Sequence, residues 1–271
     1  MGSDAETETE TEKVAASDSF VKDTYGEVRA TKQLPVMPWA FSVARRVERS
    51  SLVRQDRACL EWLDAQPRES VFYVSFGSLA CMTPRDLAET AWGIAGSGVP
   101  FLWVVRPGLV RGPGQSQQRL PERFEAVTRR RGMVVAWAPL EEVLRHRAFG
   151  GFWTHNGWNS TMESVCEGVP MLCRPYFGDQ PGNARYVEHV WRVGFEVGGE
   201  LERGSVEAVI RRLMTGRNGA EMRARAGELK KAAAEAGRRA SPLTSWSRTS
   251  CPWTLLDARR RASSFDMIIN S

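Results

Sequence analysis

Apolar residues in this chain fall into short unbroken runs that alternate with longer stretches at helical spacing. Runs near 71–76, 101–105, 133–137, 149–154 and 170–173, such as SVFYVS and FGGFWT, are apolar at successive positions, as expected of strands buried on both faces of a parallel sheet. Helical spacing occupies the intervals near 84–96, 121–130, 140–146, 160–167 and 181–193, with two further helices near 205–215 and 219–236. Thr83-Pro84 opens the first of them with a capping residue and a first-turn proline. Regular alternation of this kind predicts an α/β fold, a doubly wound parallel sheet of Rossmann-like type.

One strand-loop-helix junction carries most of the chemistry. FGGFWT is followed by the polar, glycine-containing HNGWNS and then by TMESVCEG at helical spacing. A helix starting near Asn159 or Ser160 turns unpaired N–H groups and a positive dipole end out of the carboxyl edge of the sheet, where open α/β folds bind phosphate. Gly157 lets the loop backbone approach a ligand closely. Ser160 and Glu163 also fit the S-x-x-E capping box, a purely structural use, and both uses of Ser160 are compatible. His155 invites two readings from the residues alone: general base, or structural residue behind a buried strand. His146 and His189 read as ordinary surface or packing residues.

Two other junctions point at the same edge. Trp137 follows the apolar run GMVVA and precedes Pro139, so it serves either as a core tryptophan or as an exposed stacking face. Asp179-Gln180 sits between VPMLC and the helical segment NARYVEHVW; the aspartate suits a helix N-cap, and the pair together offers acceptors and donors for vicinal sugar hydroxyls.

The uninterrupted stretch WAPLEEVLRHRAFGGFWTHNGWNSTMESVCEGVPMLCRPYFGDQ, Trp137 to Gln180, resembles the sugar-nucleotide box of plant family 1 UDP-glycosyltransferases. The resemblance runs from about Ser50 to about Gly237 and implies the Rossmann-like C-terminal half of a GT-B glycosyltransferase. It implies that Trp137 stacks on uracil, with Ala138 beside it at the nucleoside, an interaction typically worth about 1–3 kcal/mol. Ser78, His155, Asn159 and Ser160 then meet the diphosphate, Glu163 the ribose hydroxyls, and Trp158, Asp179 and Gln180 the sugar. The closing glutamine is more similar to glucose users than to galactose users. Leu140 departs from the pattern, which usually has glutamine there; the missing bond weakens nucleoside binding by roughly 0.5–1.5 kcal/mol. The implied reaction is inverting transfer from UDP-glucose to a small hydroxylated plant metabolite, with no cofactor and no metal.

Composition narrows the field further. The chain has 271 residues, 42% hydrophobic and 25% charged, enough for one domain with extensions. No apolar run reaches the roughly 18 residues of a membrane span, and the acidic start is unlike a secretion leader, so a cytoplasmic location is expected. Five cysteines without C-x-x-C spacing argue against a disulfide framework or zinc site. Walker, G-x-G-x-x-G and Asp-x-Asp motifs do not occur. The net charge of +5 comes from arginines dispersed over helices, which reads as solvated helix faces and no nucleic-acid site.

The ends depart from the pattern. Residues 1–49 open on the low-complexity DAETETETEK and are expected to be a disordered or atypical extension, the UDP-sugar domain occupying 50–237 and an atypical tail 238–271. In the resembling family the catalytic histidine lies in a preceding acceptor domain, so the expectation is a truncated chain with no catalytic residue of its own, its ends arising from an altered reading frame, a retained intron or a fragmentary gene. The competing expectation is a noncatalytic module that binds nucleotide sugar or pairs with another glycosyltransferase chain.

Overall fold

A computed structural model describes residues 57–111 and 120–239; the expected extension at 1–49 and all but the first two residues of the expected tail lie outside the described residues. The elements run α1 (Ala58–Asp64), β1 (Val71–Ser75), α2 (Pro84–Ser97), β2 (Phe101–Val104), α3 (Phe124–Thr128), β3 (Gly132–Val135), α4 (Leu140–Arg145) and β4 (Phe149–Thr154). They continue with α5 (Trp158–Glu167), β5 (Met171–Cys173), α6 (Gln180–Arg185), a π-helical segment (Tyr186–Trp191), β6 (Gly194–Glu196), α7 (Arg203–Met214) and α8 (Arg217–Arg239).

All six strands pair in parallel in the order β3-β2-β1-β4-β5-β6, the doubly wound Rossmann-like order that the alternation predicts. Successive strand residues point to opposite faces, so each continuous apolar run feeds two cores. Val71 and Tyr73 join the core under α1, α4, α5 and α8, while Phe72 and Val74 join the core under α2, α3 and α7. α2 begins as expected: the Thr83 hydroxyl accepts from the Asp86 N–H at 3.0 Å, the Asp86 carboxylate accepts from the Thr83 N–H at 3.4 Å, and Pro84 occupies the first turn.

Several boundaries differ from the pattern for local reasons. β3 stops at Val135 and not at 137, because it is an edge strand whose single partner, β2, ends at Val104; Val105 N–H to the Val135 carbonyl is the last rung, at 2.9 Å. β5 starts after Pro170, which has no N–H but accepts from Phe152 N–H at 2.9 Å. The expected helix 181–193 begins at Gln180 and is α only to Arg185, continuing as the π-helical segment that ends on left-handed Arg192. Strand β6, only three residues long and carrying an exposed glutamate, has too little apolar pattern to be predicted. α8 continues to Arg239, two residues past the expected domain boundary.

Candidate functional site

The strand order reverses between β1 and β4, so the connections leaving these two strands turn to opposite faces and open a crevice at their carboxyl ends. Ser78 leaves β1 into this crevice, exposed, and His155 leaves β4 directly opposite. The packing around His155 is set by glycine. A methyl group at Gly77, whose φ is +68°, would run into the His155 ring, and one at Gly157 would stand 2.5 Å from Nε2. Two backbone segments therefore grip the imidazole edge to edge, which only residues without Cβ allow.

Burial holds His155 neutral. Its pKa falls from 6.5 to about 4, chiefly by desolvation, with Arg106 adding to the depression and Asp179 opposing it. Its Nδ1 is buried without a partner. A neutral imidazole gripped on both sides is suited to offering one N–H, not to taking a proton from a mobile hydroxyl, so the general-base reading loses ground.

α5 starts at Trp158 with Gly157 as N-cap, earlier than the expected start near Asn159 or Ser160, and this moves Ser160 into the first turn. The S-x-x-E capping box is consequently not formed: Gly157 supplies no side-chain cap, and Glu163 lies well inside the helix. The cap comes from elsewhere. Asp179 occupies the N-cap position of α6 but its side chain caps no backbone N–H of that helix; its Oδ2 accepts from the Trp158 N–H at 3.2 Å, placing a carboxylate at the positive end of α5. The N–H groups of Asn159 and Ser160, in the same first turn, have no intrahelical acceptor. Asn159 is exposed and Ser160 is buried.

Gln180 behaves differently from expectation. It is buried, and its Oε1 accepts from Tyr176 N–H at 2.8 Å and Phe177 N–H at 3.2 Å. The side-chain oxygen closes its own loop, so its acceptor is already committed and only the amide NH2 is left to read a sugar hydroxyl.

Trp137 and Ala138 lie in the connection from β3 to α4, Trp137 half-buried and Ala138 buried. Half-burial leaves part of the indole accessible, as a stacking role requires, whereas a core tryptophan such as Trp103 is fully enclosed. Leu140, first residue of α4, packs against the core. α4 and α5 are tied by Arg145, whose Nε meets Glu167 Oε1 at 3.3 Å. Glu163, one turn before Glu167, has its Oε2 buried with no partner, and its pKa rises to about 7, mainly through burial and secondarily through Glu141 of α4. A carboxylate oxygen sealed from water without a donor is costly unless a ligand supplies one.

Three bracing residues carry no motif signal. Asn156, in left-handed conformation at φ 59° and fully buried, takes its N–H to Thr154 Oγ1 at 3.1 Å. Asn183 donates to the Asn156 carbonyl at 2.9 Å and to Asp179 Oδ2 at 2.8 Å, tying the β4–α5 and β5–α6 connections together. Arg106, at the end of β2, donates to the carbonyls of Gly77 and Ala80. The Asn183–Asp179 pair is at helical spacing and Asn156 bonds Thr154 two positions away, whereas the Arg106 bonds to Gly77 and Ala80 and the Asn183–Asn156 bond join residues 26 to 29 positions apart.

The expected site residues thus line one edge of one sheet, and residues 48–222 match the family described as "UDP-glucoronosyl and UDP-glucosyl transferase". The chain belongs to this family. UDP-glycosyltransferase 76E1 of Arabidopsis thaliana is 52% identical over 198 residues, 73% of this chain and 44% of that protein. DIMBOA UDP-glucosyltransferase BX8 of Zea mays is 54% identical over 216 residues, 78% of this chain and 47% of that protein. The chain therefore spans less than half the length of these curated relatives. Among solved structures, Os79 from O. sativa in complex with UDP superposes with a TM-score of 0.62 at 34% identity, covering 79% of this chain and 48% of that one. Phytolacca americana UGT2, complexed with UDP-2fluoro-glucose and pterostilbene, superposes with a TM-score of 0.61 at 38% identity, covering 68% of this chain and 41% of that one. Among the described residues, no group of three or more His, Cys, Asp or Glu is placed to hold a metal ion, and no helix is long and apolar enough to cross a membrane.

Proposed function

We propose that this chain binds a UDP-sugar, preferentially UDP-glucose, as the donor half of an inverting glycosyltransferase for small hydroxylated acceptors. The observation that carries the reading is the buried, partnerless Oε2 of Glu163, on the helix whose N-terminus opens into the β1/β4 crevice. Ribose hydroxyls are donors of the required kind. With the ribose on Glu163, uracil reaches the half-buried Trp137, and the diphosphate reaches the N–H groups of Asn159 and Ser160, the Ser78 hydroxyl and neutral His155. Trp158, Asp179 and the Gln180 amide stand on the sugar side.

In the reaction this arrangement serves, an acceptor oxygen attacks the anomeric carbon and the bond to the diphosphate oxygen breaks. Negative charge then develops on the leaving UDP, where the α5 dipole, the first-turn N–H groups and the His155 N–H stabilise it. His155 stands on the leaving-group side, so no base for the acceptor hydroxyl is assigned to the described residues. Exposed Leu79 and Phe177, on the connections after β1 and β5, offer apolar contact to an acceptor from the same edge.

Titration calorimetry of the folded chain with UDP tests the binding reading: a measurable heat is expected for the wild type and a weaker one for Glu163→Ala, and absence of any heat with wild type sinks the proposal. Mixing the chain with UDP-glucose and phenolic or hydroxamic-acid acceptors tests turnover. Little or no glycoside is expected; robust product that disappears with His155→Ala would overturn the role given to His155.

A further inference from the structure

The geometry points to Arg106 as the positioning residue for the diphosphate end of the site, acting through the loop that carries Ser78. This inference rests on the nucleotide-binding reading above.

Arg106 is buried at the carboxyl end of β2 and reaches across to the connection after β1. Its Nε donates to the Gly77 carbonyl at 2.8 Å, Nη2 to the Ala80 carbonyl, and Nη1 to the Pro107 carbonyl at 3.2 Å. The planar guanidinium fork thus spans the turn 77–80, a geometry that a single ammonium cannot reproduce. Its bond to Gly77 does more than tie the loop down. In a trans peptide the carbonyl and the following N–H point in opposite directions, so holding the Gly77 carbonyl toward the guanidinium directs the Ser78 N–H away from it. Gly77 is also the residue that abuts His155, so the same bond sets one wall of the imidazole slot. Within the turn Gly77 is in the left-handed region and Ser78 and Leu79 are exposed, while Ala80 is buried in the core and the Leu79 carbonyl accepts from Cys81 Sγ at 3.4 Å.

Charge gives a second, separable effect. His155 senses the positive charge of Arg106 and the negative charge of Asp179 in opposite directions. Arg106 therefore places a buried cation behind a loop that faces an anionic ligand, where the low local dielectric strengthens its influence.

The test compares UDP with uridine, which share base and ribose and differ only in the diphosphate. Both are titrated into the full chain as wild type, Arg106→Gln and Arg106→Lys, with folding checked by thermal melting and the His155 titration followed by NMR of the imidazole. For Arg106→Gln, UDP affinity is expected to fall roughly 10- to 100-fold, the scale of losing charge-assisted hydrogen bonds. Uridine affinity should stay in place, and the His155 midpoint should rise. Arg106→Lys keeps the charge and loses the fork: the UDP-over-uridine preference should drop while the His155 midpoint stays low. If Arg106→Gln does not fold, the lysine variant decides. Folded variants that retain the wild-type preference, or that lose both ligands equally, overturn the positioning role alone. A folded wild type that binds neither ligand overturns the nucleotide reading, and the inference with it.

Discussion

The two ends of the site are built by different means. At the β1/β4 crevice, geometry is fixed by backbone and by bonds already made: Gly77 and Gly157 against His155, Arg106 on the 77–80 turn, Asp179 on Trp158 N–H, and Asn183 on both Asn156 and Asp179. At the α4/α5 end less is already bonded: Glu163 has a buried bare oxygen and Trp137 is half-covered, while Leu140 packs against the core. On the proposed reading, an anion is met by a frame that is mostly preorganised, whereas the nucleoside completes an unfinished polar arrangement at Glu163. Substitutions in the first region should act as switches, and those in the second as graded adjustments.

The largest effect is expected for Gly77→Ala. The new methyl combines a left-handed φ of +68° with collision against a ring that cannot retreat from Gly157. Backbone strain and overpacking each cost about 1–3 kcal/mol, so stability should fall by several kcal/mol and UDP binding should vanish. A thermal melt and a UDP titration unchanged from wild type would show that the slot is looser than described.

Trp137→Ala should cost about 1–3 kcal/mol of UDP affinity with little change in melting temperature. Equal UDP affinity would return Trp137 to a packing role and detach the β3–α4 connection from the site.

The Glu163 carboxyl supplies a pH test. Its pKa is raised to about 7, so the folded free chain holds more protons than the unfolded chain between the ordinary carboxyl range and 7, and this group's contribution to stability diminishes as pH rises through that window. Hydroxyl donors from a ribose favour the ionised form. UDP binding should therefore strengthen from pH 6 to pH 8 and release protons, detectable as a binding heat that varies with buffer ionisation enthalpy. Glu163→Gln should flatten both dependences; a wild-type affinity that is flat over this range contradicts the assignment of Glu163 to the ribose.

The smallest effect belongs to Leu140→Gln, which should tighten UDP binding by roughly 0.5–1.5 kcal/mol by adding one hydrogen bond at the helix start. An unchanged or weaker dissociation constant removes Leu140 as the reason for a weak nucleoside grip.

What was legible in the sequence follows the same division. Unbroken apolar runs disclosed five of the six strands described, since strands such as β1, β2 and β4 are largely buried on both faces, and the strand-to-helix junctions put most of the expected site residues near the carboxyl edge of the sheet. The capping-box reading failed because S-x-x-E spacing is blind to a cap donated in space: Asp179 lies 21 positions from Trp158. Gln180 was expected to read a sugar hydroxyl, but the spacing gave no sign that its oxygen is spent on its own loop. Arg106 and Asn156 were invisible, since a strand-end arginine or a loop asparagine acquires meaning only when a distant carbonyl or side chain arrives beside it.

A structure of the chain soaked with UDP tests the central claim most directly. The account predicts uracil on the Trp137 face, ribose hydroxyls bonded to Glu163, and the diphosphate at the Asn159 and Ser160 N–H groups beside His155. Nucleotide bound away from the β1/β4 crevice, or a Glu163 carboxylate still without a partner in the complex, would contradict it.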